Sequence, residues 1–326
     1  MPVGQVLVGD GLASCEGPLA AGYDAGLYDL DGVLYLATEP IPHAAASLAS
    51  ATELGLRPAY VTNNASRSPA VVAALLASVG VSAVEHDVVT SAQASVRLLH
   101  EQVDPGSEVL VIGSDDLAAA VADGGYAPVR EAGPGVRAVV QGLSFDVGWL
   151  QLAEAAVAIR AGALWVAANT DTTFPSPRGP LPGCGALVAA LVTATGREPV
   201  VAGKPGPALH AEAVERVSAR RPLVIGDRLD TDVLGAVGAG ADSLLVLTGV
   251  CTLEALLAAP AGSRPAFVAA DLRGLLEAHP PVELVDGGAR CGTAFAAYDG
   301  KVSEGAGVPE LRAACAAAWA RADQMS

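Results

Sequence analysis

The sequence predicts an α/β protein whose core is a doubly wound parallel sheet, with a second α/β unit inserted into it and a small C-terminal extension. Three observations carry that prediction. Short β-rich apolar runs alternate with Ala-rich helical segments along most of the chain. At 326 residues, 52% of them hydrophobic, the chain can bury more than one core. The polar residues with chemical capacity fall where predicted strands end, the edge at which open parallel sheets bind ligands.

Residues 1–22 read as a loose tail. Apolar runs at 26–30, 58–62, 109–113, 138–142, 164–168, 223–226 and 243–247 predict strands. Between them, 69–78, 117–121, 150–160, 186–195 and 208–217 predict helices, and 233–239 adds another that Gly240 would end. The texture changes after 272–285: residues 290–304 alternate around Asp299-Gly300 like a hairpin, and 309–321 read as a helix. The chain has no internal repeat and no low-complexity tract.

A formal charge of −16 and a pI near 4.6 exclude a sequence-independent nucleic-acid binder, which needs a basic face, and argue against an anionic-membrane binder. The same negative field repels anionic substrates, so a phosphate site would need directed donors or a metal. Five scattered cysteines (Cys15, Cys184, Cys251, Cys291 and Cys315) form no CxxC, which suits a reducing cytoplasm rather than a disulfide framework. The N-terminus lacks a basic start, so no signal peptide is expected. Residues 179–196 are uncharged, but Pro180, Pro182 and the glycines read as loop followed by helix, not a membrane span.

The chemistry concentrates in four places. The run at 26–30 leads into Asp29-Leu30-Asp31-Gly32-Val33, and that at 58–62 into Thr62-Asn63-Asn64. The run at 223–226 leads into Asp227-Arg228-Leu229-Asp230-Thr231-Asp232, and Val200-Val201-Ala202-Gly203 into Lys204-Pro205. Asp29 and Asp31 share a face if the stretch is extended, and two carboxylates that close together call for a cation. Asp227 adds a third hard oxygen donor, a set that suits Mg²⁺ with open positions for water and phosphate. Thr62, Asn63 and Lys204 offer a hydroxyl, N–H groups and a point charge for a tetrahedral anion. Taken singly, Asp-x-Asp could start a helix and Thr-Asn-Asn could be a turn. The four together favour phosphate chemistry, the more so because Lys204 is one of two lysines against 17 arginines.

These segments resemble the haloacid dehalogenase superfamily of phosphatases: Asp29-x-Asp31-Gly32-Val33 its first motif, Thr62 its second, Lys204 its third, and Gly226-Asp227 through Asp232 its fourth. The NagD-like branch, which carries a large cap, is the nearer match through Val61–Arg67, Asp171-Thr172-Thr173-Phe174-Pro175, Leu181–Ala186 and Lys204-Pro205. Within it the chain is most similar to actinobacterial glycerol-3-phosphate phosphatases, which also carry a C-terminal extension. The resemblance spans about residues 23 to 277. It implies a Rossmann-like core at 23–90 and 199–277, a cap at 91–198 that closes over the site, and an extension at 278–326.

The resemblance also implies roles. Asp29 would be the nucleophile that forms an aspartyl-phosphate, and Asp31 the acid and then the base. Mg²⁺ would bind Asp29, Asp227 and the main-chain carbonyl of Asp31, with Asp232 behind them orienting ligands or Lys204. Thr62, Asn63, Asn64, Lys204 and Arg228 would hold the phosphoryl group and substrate. In the cap loop, Asp171, Thr172 and Arg178 could read hydroxyls or a second anion, and Arg178 could equally be a solvated charge. Where family members carry Asn or Thr, this chain has Cys184, which bears on specificity if that side chain meets substrate. The cap has no lysine, so a Schiff-base mechanism is not expected.

The expected function is therefore Mg²⁺-dependent hydrolysis of a small phosphate ester, glycerol 3-phosphate first. A broad sugar-phosphate, nucleoside-monophosphate or p-nitrophenyl phosphate phosphatase, and a non-catalytic phosphate-binding scaffold, remain open alternatives. Self-association is also open.

Overall fold

The computed structural model describes residues 11–174, 176, 178–298 and 306–325. The chain divides into two compact units: one takes in the chain up to Tyr60, Leu76–Ser82 and the chain from Val214, the other Val61–Leu75 and Ala83–Ala213.

In the first unit the strands run, in spatial order, Phe267–Ala269, Asp242–Val246, Pro222–Gly226, Ala25–Tyr28 and Arg57–Thr62, all parallel. The central strand Ala25–Tyr28 is buried at every position, because helices cover both faces of such a sheet. The predicted strands at 26–30, 58–62, 223–226 and 243–247 correspond to these elements within two residues. Asp29 and Asp227 each follow a central strand directly, since Tyr28 pairs with Ile225 and Asp29 N donates to the Ile225 carbonyl at 2.8 Å.

The second unit holds its own parallel sheet, in spatial order Val200–Val201, Leu164–Ala167, Val136–Gln141, Glu108–Ile112 and Ala127–Val129. Trp149–Arg160 and Cys184–Thr195 cover one face, where Leu110, Ile112, Ala155, Ile159, Trp165, Val188 and Leu191 form one core. The fold class expected from the sequence is borne out: both sheets are parallel and both are clothed in helices.

Two expectations change, and a third falls partly outside the described residues. The N-terminal tail is not loose in its described part: Leu19 and Ala20 are buried, Ala13 N donates to Ala266 O, and Cys15 bridges His279. The sequence hid this because the anchors are backbone hydrogen bonds to distant residues. The helix expected at 233–239 opens as a π-helical turn, Leu229–Val233, before Leu234–Gly238. The turn of the hairpin expected at Asp299-Gly300 lies outside the described residues. The antiparallel pairing that is seen joins Val282–Val285, Gly288–Cys291 and Ala294–Ala297 through turns at Asp286-Gly287 and Gly292, both glycines having positive φ.

The C-terminal extension packs within the first unit. Helix Val308–Met325 sends Leu311, Cys315 and Trp319 into a core with Leu245, Leu256 and Val268, and Trp319 Nε1 donates to Leu256 O at 3.0 Å. Its buried Arg312 donates to Ala13 O at 2.6 Å and Pro280 O at 3.0 Å, tying both ends of the chain to one another. Among the described residues no helix is long and apolar enough to cross a membrane.

Candidate active site

Asp29, Asp227 and Asp232 bring one carboxylate oxygen each to within 4.8 Å of one another, in the first unit. Three such groups repel unless a cation lies among them. Asp227 is fully buried and Asp232 nearly so. Glycines make that burial possible. A Cβ on Gly32, whose φ is +89°, would stand 2.5 Å from Asp227 Oδ2, and one on Gly249 would strike the same oxygen. A Cβ on Gly226 would collide with the Asp232 carboxylate. The backbone then fixes the groups: Val250 N donates to Asp227 Oδ2 at 2.5 Å, and Arg228 N donates to Asp232 Oδ2 at 3.1 Å.

The donor set consists of hard carboxylate oxygens in a closely fitted pocket of glycine backbone, which suits Mg²⁺. Asp232 thus joins the cluster itself, where the sequence reading set it behind the ligands. Asp31 stands apart from the carboxylate cluster: it is exposed, its backbone bridges Tyr35, and its Oδ1 accepts from Ala37 N at 3.2 Å. The negative field leaves a mark nearby. Burial, aided by Asp227 and Asp230, pushes the Cys251 thiol up to about 11. Arg228 is held by Asp230 at two points, 3.0 and 2.8 Å, and that pairing keeps the Asp230 carboxyl below its usual range.

The remaining predicted residues gather in the second unit around Asn63. Its Oδ1 accepts from Lys204 N at 2.7 Å, while its Nδ2 donates to Lys204 O at 3.1 Å and to Asp171 Oδ2 at 3.2 Å. Lys204 is buried and its Nζ donates to Val61 O at 3.4 Å. Asn64 N donates to Thr62 Oγ1 at 3.1 Å, and Asn64 Oδ1 accepts from Ser66 N at 2.7 Å, so these side chains shape the turn. Asp171 therefore meets the Thr-Asn-Asn segment. Arg178 is exposed and is brought to none of these groups by a hydrogen bond that involves its side chain.

Two residues of this network were not singled out in the sequence. Ser91 Oγ and Asn169 Nδ2 both donate to the Asn63 carbonyl, at 2.6 and 2.7 Å. Asn169 was visible as a polar residue just past a predicted strand. Ser91 follows the three-residue strand Val88–Thr90, too short to register as a pattern. Cys184 opens its helix from inside the apolar core, with burial pushing its thiol up to about 12, so it is neither reactive nor offered to a ligand.

A central parallel sheet with aspartates at two strand ends, clustered for a divalent cation, defines a hydrolytic α/β site of the metal-assisted kind. Comparison with known proteins sharpens that class. The family model for haloacid dehalogenase-like hydrolases matches residues 26–127, and a second HAD-hydrolase-like model matches 201–275. The chain is 52% identical over 258 residues to D-glycerol 3-phosphate phosphatase of Mycobacterium tuberculosis, covering 79% of this chain and 72% of that one. It is 36% identical over 234 residues to the acid sugar phosphatase of Staphylococcus aureus, covering 71% and 89%. Among solved structures, the M. tuberculosis glycerol phosphate phosphatase in complex with magnesium superposes with a TM-score of 0.82 at 45% identity, over 95% of this chain and 93% of that one. The p-nitrophenyl phosphatase of Archaeoglobus fulgidus gives 0.72 at 30% identity, over 78% and 98%.

The chain belongs to the haloacid dehalogenase-like hydrolases. The family resemblance read from its motifs is borne out.

Proposed function

We propose that the chain is a Mg²⁺-dependent phosphomonoester hydrolase acting in the cytoplasm on glycerol 3-phosphate. The observation that carries the chemistry is the cluster of Asp29, Asp227 and Asp232 within 4.8 Å in a glycine-lined pocket. The substrate rests on the 52% identity to a D-glycerol 3-phosphate phosphatase.

Bound Mg²⁺ would offset the charge of the phosphate and of the carboxylates that meet it. Asp29, Asp227 and Asp232 are the side chains that would hold it, with the Asp31 carbonyl. Asp29 attacks phosphorus and forms an aspartyl-phosphate while the bond to the alcohol oxygen breaks. Asp31 gives that oxygen its proton, then takes one from the water that attacks the acyl phosphate, releasing inorganic phosphate and restoring both aspartates. Ala37 N, bonded to Asp31 Oδ1, holds the acid's orientation. Thr62, Asn63, Asn64 and Lys204 take the phosphoryl oxygens. The Asn63 amide, bonded on both sides to the Lys204 backbone, supports assigning that pair one task. Arg228 is assigned to substrate more weakly, since Asp230 already engages it. Residues 91–198 are proposed as the cap, with Asp171 its reading residue; among the described residues no hydrogen bond of the Arg178 side chain supports a role for it.

The test is Mg²⁺-dependent phosphate release across a panel of both glycerol 3-phosphate enantiomers, sugar phosphates, nucleoside monophosphates and p-nitrophenyl phosphate. A clear preference for glycerol 3-phosphate that disappears in Asp29→Asn supports the reading. Even release across the panel moves the substrate to the broad-range alternative. No release from folded native protein would leave a phosphate-binding scaffold.

A further inference from the structure

Two side chains that the proposed mechanism leaves without a task converge on one carbonyl. Ser91 Oγ and Asn169 Nδ2 both donate to Asn63 O, at 2.6 and 2.7 Å, and so engage both of its lone pairs. Ser91 is fully buried and Asn169 nearly so, which shields the two bonds from competition by water. The donors come from separate parts of the second unit. Ser91 opens helix Ser91–Gln102, whereas Asn169 follows strand Leu164–Ala167.

A carbonyl gripped from two directions is held against rotation, and the planar trans peptide passes that constraint to the N–H on its far side. Here that group is Asn64 N–H, which donates to Thr62 Oγ1 at 3.1 Å. A hydroxyl oxygen that accepts through one lone pair must turn its own hydrogen elsewhere, so this bond limits where the Thr62 O–H can donate. The Asn63 side chain carries a second branch to the phosphate-binding lysine. Its Oδ1 accepts from Lys204 N at 2.7 Å and its Nδ2 donates to Lys204 O at 3.1 Å. A Cβ on Gly203 would stand 2.6 Å from both Asn63 Oδ1 and Ala168 O, so glycine there keeps the approach open. Asn169 differs from Ser91 in one respect: its Oδ1 accepts from Asp171 N at 3.1 Å, which ties it to the residue assigned to read the alcohol.

On the phosphomonoesterase reading, we propose that Ser91 and Asn169 are positioning residues that act through the Asn63-Asn64 peptide to aim the Thr62 hydroxyl at a phosphoryl oxygen. Neither touches the phosphate. Each restricts a peptide plane whose opposite edge orients a group that does.

A double-mutant cycle on the full-length protein tests it. The binding probe is inorganic phosphate with Mg²⁺ present, read by calorimetry, with hydrolysis of glycerol 3-phosphate and p-nitrophenyl phosphate measured beside it. Ser91→Ala should weaken phosphate binding about five- to tenfold and lower kcat/KM for both esters by one common factor. In a Thr62→Val background the same substitution should cost less than about twofold, because the hydroxyl it aims is gone. Asn169→Ala should behave alike toward inorganic phosphate, which offers Asp171 no alcohol to read. A merely structural role predicts a lower thermal midpoint with the full loss of affinity retained in the Thr62→Val protein, and that result overturns the proposal. Unchanged phosphate affinity in a folded Ser91→Ala protein, or no phosphate binding by the native chain, would do the same. Native protein that binds phosphate yet hydrolyses neither ester sinks the phosphomonoesterase reading alone, since the cycle is still decided by the binding measurements.

Discussion

The chain builds a doubly wound parallel sheet twice, and the two sheets arm their carboxyl edges in opposite ways. In the first unit the strand ends deliver Asp29 and Asp227 into a pocket where the acids are drawn together, with Asp227 fully buried. In the second unit the strand ends deliver Asp115 and Asp146, which stay exposed around an open cleft. The residue type is the same; the backbone around it differs. Gly32, Gly226 and Gly249 let main chain close on Asp227 and Asp232, so that their carboxylates are held where a cation would relieve their repulsion. Carboxylates that face solvent are screened and need no partner. Converging aspartates therefore signal chemistry when the surrounding chain has given up its side chains to confine them.

Removing the convergence should have the largest effect. Asp29→Asn keeps size and polarity but loses the nucleophile, and steady-state phosphate release should fall by roughly 10³-fold or more with the fold intact. The first sheet is also backed by the C-terminal helix. Trp319→Ala should cost about 3–5 kcal/mol, read as a fall in the thermal or denaturant midpoint, because it empties the core between that helix and Leu256.

A third prediction concerns pH. Burial pushes His279 down to about 4, and its Nε2–H donates to the Gly274 carbonyl at 2.9 Å. The folded state therefore keeps this imidazole neutral where the unfolded chain would protonate it. Stability from this group is present above the ordinary histidine range and is lost as pH falls from there toward 4, by about 3 kcal/mol in all. Denaturant titrations between those limits should show the slope, and His279→Gln should flatten it.

Gly249→Ala tests the confinement itself. The added methyl group would press on Asp227 Oδ2, and Mg²⁺ affinity should fall about 10–100-fold, measured as the Mg²⁺ concentration for half-maximal activity. At the other edge, Glu131→Gln should change stability by less than about 0.5 kcal/mol and leave phosphate release unaltered. A large loss of turnover there would break the contrast between the two sheets.

The legibility of the sequence divides along the same line. Strand and helix periodicity, and the placement of Asp29, Thr62, Lys204 and Asp227 after apolar runs, are local patterns, and the structure reproduces those elements within a few residues. The seven-stretch strand reading missed Val88–Thr90, Ala127–Val129 and Phe267–Ala269, each only three residues long, too short to establish a period. It also passed over Asp286-Gly287, a clear turn signal, in favour of Asp299-Gly300.

The sequence by itself determined the fold class, the phosphate-handling motifs and the hydrolase family, because periodicity and motif spacing are written along the chain. Tertiary structure alone decided that Asp232 joins Asp29 and Asp227, and that Asp171 bonds to Asn63 across 108 positions. It also decided that Cys184 points into a core and that Arg312 clasps the segment at Ala13. Each of these depends on distance through space between residues far apart in the chain, and on backbone closing where glycine leaves room.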